Sequence, residues 1–234
     1  MFKLSTPKIE ADSLLFIKRA TIIAKSGESG STVYFKRDGQ QHTYQSPIVL
    51  KESEWVSFWS EHPDFESSDL QTIEVVKITH SMVDSELIIE PQPNEAYNGK
   101  GWKTLVDLEK GTTNFRNGHS WLGFQKETIT ISVKLKKPTM ISKLQMGILI
   151  DHGSWIFSPK AVKVEASKEI IGTKEFEAPS TAESSESTFL TIDTIPRVYG
   201  ELVVTIKALD AIPDWHPGKG TVPWIFIDEL LIEP

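Results

Sequence analysis

The chain has 234 residues, 39% of them apolar and 24% charged, with a net charge of −7. That is long enough for one large sandwich or two small domains with packed cores. The acidic, dispersed charge excludes a phosphate-tracking nucleic-acid binder, and no stretch approaches the roughly 20 apolar residues that span a bilayer as a helix. Cysteine is absent, so disulfides, thiolate metal sites and a cysteine nucleophile are excluded.

In chain order, period-2 alternation predicts strands over residues 14–24, 31–36, 46–51, 54–60 and 70–78, separated by turn-forming stretches such as SGESGS (26–31) and KRDGQQ (36–41). WVSFWS puts Trp55 and Trp59 on one face, expected to be core or an interdomain surface. The segment 79–94 is a linker or supplies the next domain's first strand (SELIIE), and the polar EPQPNEAYNGKG (90–101) opens a second unit. There TITISVKL places Ile129, Ile131, Val133 and Leu135 on one face. Further strands are expected at 141–150, around AVKVEA (161–166), and at 170–177, 186–193, 200–208 and 224–232. KLKK (134–137) fits the solvated face and end of a strand, and the serine-rich 178–187 an exposed loop. No long amphipathic helix appears, so the expected fold is all-β, with domains at 1–78 and 95–234.

Two likenesses follow from these segments. STVYFKRDGQQHTYQSPIVLKESEWVSFWS (31–60), with its Asp38-Gly39 turn and Ser46-Pro47-Ile48, resembles the small Ig/fibronectin-like β-domain that follows the barrel of bacterial chitobiases and β-hexosaminidases. Residues 105–125, 147–167 and 212–234 resemble three blocks of the discoidin-like (coagulation factor 5/8 type C) domain, a galactose-binding-domain-like jelly-roll sandwich. The second resemblance is to the version at the C-terminus of Bacteroidetes hexosaminidases. GELVVTIKA (200–208) departs from it by lacking the R-Y-V-R-V pattern. The two together imply a non-catalytic accessory region of an exported glycan-active protein, with a glycan and the parent's catalytic domain as partners: a carbohydrate-binding or substrate-presenting module or, alternatively, a purely structural spacer that binds no sugar or a protein-binding adhesion domain. MFKLSTPKIEADSLLF has no secretory h-region, so that implication expects a longer precursor.

No catalytic motif contradicts this. Asp228-Glu229 is the only Asp-Glu pair, but it lies in an apolar strand with no barrel to hold it, and neither G-x-S-x-G nor H-E-x-x-H occurs. Sugars offer C–H faces to aromatic rings and hydroxyls to polar side chains. Three loops carry that mixture: 114–121 with Arg116 and Trp121, 151–158 with His152, and 212–219 with Asp214, Trp215 and His216. Trp155 and Trp224, flanked by apolar residues, are expected in the core. The discoidin resemblance also implies one structural Ca²⁺, held by Asp107, the Lys110 carbonyl, Thr112 and Glu229.

Overall fold

In the computed structural model, which describes residues 2–79, 82–182 and 185–234, the chain forms two compact units, Met1–Ile78 and Thr79–Pro234. Parts of the 79–94 segment (residues 80–81) and of the serine-rich 178–187 loop (residues 183–184) lie outside the described residues. The all-β expectation holds: among the described residues the only helical elements are four 3-10 turns of three residues each.

The first unit contains eight strands: β1 (Lys8–Ala11), β2 (Leu15–Phe16), β3 (Ala20–Lys25), β4 (Thr32–Arg37), β5 (Gln40–Thr43), β6 (Ile48–Leu50), β7 (Glu54–Glu61) and β8 (Gln71–Lys77). They make a three-stranded sheet, β1-β3-β6, and a five-stranded one, β2-β8-β7-β4-β5. The continuous strand expected at 14–24 is in fact two, one in each sheet. Asp38 and Gly39 close the β4–β5 hairpin with φ of 47° and 75°, the left-handed pair that a two-residue turn between right-twisted strands needs.

The apolar alternates of the two sheets form one core, including Ile22, Leu50, Val56, Phe58 and Val75. On β7 this fixes the orientation of the tryptophans. Val56 and Phe58 point inward with no exposed surface, whereas Trp55 is 63% exposed and Trp59 stacks on Tyr34 across the strands at 5.8 Å. Trp55 and Trp59 do share a face, as alternation requires, but it is the outer face and not the core.

The second unit begins with β9 (Glu86–Glu90), followed by β10 (Gly99–Trp102), β11 (Leu122–Phe124), β12 (Thr128–Ile150), β13 (Ala161–Ala166), β14 (Glu169–Glu175), β15 (Glu186–Lys207) and β16 (Ile225–Glu233). SELIIE is thus a strand: β9 pairs with the start of β12. The pairs of strands expected at 128–135 and 141–150, and at 186–193 and 200–208, fuse into β12 and β15. These run antiparallel along nearly their whole length, with register shifts between Lys134 and Thr139 and between Ile141 and Lys143. Irregularities of this kind bend a ladder and increase its twist. Before them β12 is flanked by β9 and β15; after them by β15 and β16. Ile129, Ile131 and Val133 from the first half join Leu144, Met146 and Ile148 from the second in a single core, which β13 closes with Val162 and Val164. Lys134, Lys136 and Lys137 sit on the exposed side of this strand.

The inversion on β7 gives a direct test. Phe58→Ala should destabilise the first unit by roughly 3–5 kcal/mol, while Trp55→Ala should change it by less than about 0.5 kcal/mol. Urea denaturation followed by circular dichroism distinguishes the two.

Candidate functional site

The last strand sets the geometry of the loop end. β16 is buried throughout Ile225–Ile232, lying between β11 and β12. Ile225 and Ile227 enter the main core, but so do Leu230 and Ile232, so the inward parity switches between 227 and 230. The switch coincides with a bulge against β12, where Gly147 opposes Glu229 and Ile148 opposes Ile227. Asp228 is the extra residue. The bulge leaves both Asp228 and Glu229 out of the main core, where they accept bonds from the 107–112 loop.

Both carboxyl groups are fully buried. Asp228 Oδ2 accepts from the Gly111 backbone N–H at 2.6 Å and from Lys110 Nζ at 2.7 Å. Glu229 Oε2 accepts from the Leu108 N–H at 2.8 Å. Among the described residues Asp228 Oδ1 and Glu229 Oε1 have no hydrogen-bond partner. Burial pushes the Asp228 carboxyl up from its ordinary value against the pull of Lys110 and the Gly111 N–H. Burial, together with the charges of Asp228 and Asp107, pushes Glu229 up to about 9. Gly147 is required beneath them, because a Cβ there would fall 1.9 Å from Asp228 Oδ1.

The donor set implied for calcium does not fit this arrangement. The ion needs six to eight oxygens. Asp107 is already engaged by the Glu109 N–H at 3.0 Å and by Lys100 Nζ at 2.9 Å. Lys110 delivers an ammonium group to the acidic pair, and the Thr112 carbonyl accepts from Trp121 Nε1 at 2.9 Å. Among the described residues no three His, Cys, Asp or Glu side chains converge as a metal site.

Two satellite clusters support the loops above. Phe115, Trp121, Leu149, Ile156 and Phe226 form one, with Tyr97 and Trp224 packed on it. Phe157, Leu209 and Ile212 form the other, with Trp215 alongside. The sugar-stacking residues expected from sequence therefore divide. Trp121 has no exposed surface. Trp215 is half-buried, its Nε1 donating to the Pro179 carbonyl at 2.8 Å. His152 and His216 are buried; His216 Nε2 is 2.6 Å from the His152 carbonyl, and its Nδ1 accepts from the Gly218 N–H at 3.0 Å. These four build the loop end. Arg116 and Asp214 are exposed.

Trp155 corrects the expectation that it lies in the core. A 3-10 turn, His152–Ser154, is capped by the Asp151 side chain and closed by Trp155 in the left-handed region (φ 64°). That backbone turns the indole outward, 44% exposed, while Ile156 and Phe157 go inward. A bulky residue rarely adopts positive φ without cause. The ring is supported from behind: a Cβ on Gly218 would come within 3.1 Å of Trp155 Cε2, and the His216 ring meets it edge-on at 6.4 Å. Arg116 Nη2 donates to Ser154 Oγ at 3.3 Å, with its guanidinium 4.9 Å over Phe115. Trp224, also expected in the core, is half-buried and donates its backbone N–H to the Trp155 carbonyl at 2.9 Å. Arg116, Ser154–Trp155 and His216–Gly218 come from three separate segments of the chain. Apolar neighbours in SWIF pointed to a core tryptophan; the preceding Gly153-Ser154 turn was the available signal that the alternation restarts there.

No family model matches the chain, and no curated protein matches it. Solved structures do show similarity. The C-terminal domain of a chitobiase from Bacteroides fragilis is 20% identical, with 66% of this chain and 95% of that one covered and a TM-score of 0.42. The lectin domain of lectinolysin, complexed with Lewis B antigen, is 13% identical over 67% of this chain and 97% of that one, TM-score 0.43. A Streptococcus pneumoniae fucose binding module is 12% identical over 65% and 94%, TM-score 0.41. At these identities and TM-scores the function has to be drawn from the site itself.

Glu229 provides a pH test. Its carboxyl group is raised in the folded state, so the fold binds an extra proton between the ordinary carboxylate range and about pH 9. The associated stability is fully present below the unfolded value and is lost as pH rises through 9. Thermal midpoints should therefore decline from pH 5 to pH 9 in the wild type and decline less in Glu229→Gln. Equal slopes for the two proteins would show that Glu229 is ionised in the fold.

Proposed function

We propose that the second unit is a non-catalytic carbohydrate-binding module of an exported glycan-active protein, and that it engages sugar at the loop end through Trp155 and Arg116. The carrying observation is the exposed indole of Trp155, set by a left-handed backbone at the end of the 152–154 turn and backed by Gly218 and His216, beside a guanidinium-hydroxyl pair. An aromatic face suits the C–H face of a pyranose ring, and the free N–H groups of Arg116 suit its hydroxyls. Rigid presentation matters because each side chain ordered on binding reduces affinity. Asp214 and His119 are exposed on neighbouring loops and are further candidates for hydroxyl contacts.

The resemblance of residues 105–125, 147–167 and 212–234 to the discoidin-like domain supports the same reading, since those three blocks supply the converging side chains. It also supports an exported setting and a catalytic domain elsewhere in a parent polypeptide. The buried Asp228-Glu229 pair does not open onto this surface as an acid-base couple: Asp228 is paired with Lys110 and Glu229 is bonded to Leu108.

A glycan array on the purified chain tests the proposal. Binding to at least one glycan class should fall by tenfold or more in Trp155→Ala and Arg116→Ala (each about 1.4 kcal/mol or more), with thermal midpoints near wild type. A blank array, or wild-type binding by Trp155→Ala, would contradict it. Trp121→Ala serves as the contrast: removing that buried ring should destabilise the unit by roughly 3–5 kcal/mol, so its effect should appear first in stability.

A further inference from the structure

Lys110 is placed unusually for a lysine. Its side chain is 9% exposed and lies against an Asp228 carboxylate with none of its surface exposed. Of its three donors, one meets Asp228 Oδ2 at 2.7 Å. The ammonium also lies 4.7 Å from the centroid of the Phe189 ring and 5.0 Å from that of Trp121. Aromatic faces attract a desolvated cation more strongly than an exposed one. A Cβ on Gly147 would lie 3.0 Å from the ammonium and 1.9 Å from Asp228 Oδ1, so glycine lets the strand pass close beneath the pair.

This cation joins three parts of the unit. It ties the 107–112 loop to the bulge of β16, next to the Gly111 N–H bond to the same carboxylate. Trp121, under the ammonium, is bonded to the Thr112 carbonyl, and Ser187 at the start of β15 donates to the Gly111 carbonyl at 2.8 Å. Bridging a loop to the final strand through buried carboxylate is work that a divalent ion can do in a β-sandwich, but here Asp107 is held by Lys100 and the Glu109 N–H, Glu229 Oε2 by the Leu108 N–H and the Thr112 carbonyl by the Trp121 indole, while an ammonium occupies the Asp228 carboxylate.

We infer that Lys110 is the resident cation of this site, so that the chain holds its loop end together with an internal ammonium and requires no divalent metal there. The inference is independent of sugar binding.

Thermal denaturation of the full chain, followed by tryptophan fluorescence, tests it in two ways. In the wild type the midpoint should be the same in excess chelator and in millimolar CaCl₂. A functional calcium site saturated about a hundredfold would instead raise it by several degrees. Lys110→Met should lower the midpoint on the order of 10 °C, because it leaves the Asp228 charge buried and unpaired. Lys110→Met combined with Asp228→Asn should recover most of that loss. A wild-type midpoint that rises with calcium or falls with chelator overturns the inference, as does a Lys110→Met protein as stable as wild type. The chelator comparison needs no variant, so it decides even if Lys110→Met fails to fold.

Discussion

A single extra residue in the last strand governs the loop end of the second unit. Without the bulge at Asp228, strict alternation along β16 would send one of the two adjacent carboxyl groups into the main apolar core, where an ion without a partner is prohibitively costly. With it, Ile227 and Leu230 both reach the core while Asp228 and Glu229 stay on the loop side. The loop then has to bring donors to them, and it does so through Lys110, Gly111 and Leu108. Leu108 takes a positive φ of 63° as part of that loop. The price in backbone strain is offset by satisfying two groups that would otherwise have no partner at all.

From that anchorage the remainder of the loop end follows. The segment held at 108–112 continues to Phe115 and Trp121, which pack with Leu149, Ile156 and Phe226. Arg116, between them, points outward, over the Phe115 ring and toward Ser154. On the adjoining loops His216 joins the His152 carbonyl to the Gly218 N–H, and Gly218 provides the flat support for the Trp155 ring. Buried polar groups and satellite apolar clusters thus prepare a rigid surface whose exposed members are an indole and a guanidinium. Preorganisation of this kind is what lets a shallow surface bind a flexible, well-hydrated sugar.

Much of the architecture was legible in the sequence because strands announce themselves by alternation. Ile129, Ile131 and Val133 lie where alternation placed them, and Asp38-Gly39 makes the turn its composition requires. What alternation could not supply was the choice between faces. Trp55 and Trp59 share a face, but Val56 and Phe58 between them form the inner one, since two apolar sets on opposite faces of one strand give the same period. Long strands likewise read as two, interrupted at the proline-bearing KKPTM (136–140) and TIPRVY (194–199), which are continuous in β12 and β15 because a bent ladder carries such residues without breaking.

At the site the same difficulty took a different form. Neighbour polarity is a poor guide to loop tryptophans, because exposure in a loop depends on backbone dihedrals that the polarity of adjacent residues does not reveal. Trp121, beside polar residues, is buried; Trp155, beside Ile156 and Phe157, is exposed through its positive φ. The resemblance points to Lys110 for its carbonyl; the structure adds its ammonium, a partner that only tertiary structure could bring to Asp228. The most direct measurement of the central claim is an NMR titration of the seven tryptophan indole N–H signals with a panel of mono- and disaccharides. The account predicts that a binding sugar shifts the Trp155 resonance most and leaves buried Trp121 nearly in place. A binding sugar that leaves Trp155 unmoved while shifting a tryptophan of the first unit, or a panel that shifts none, would contradict it.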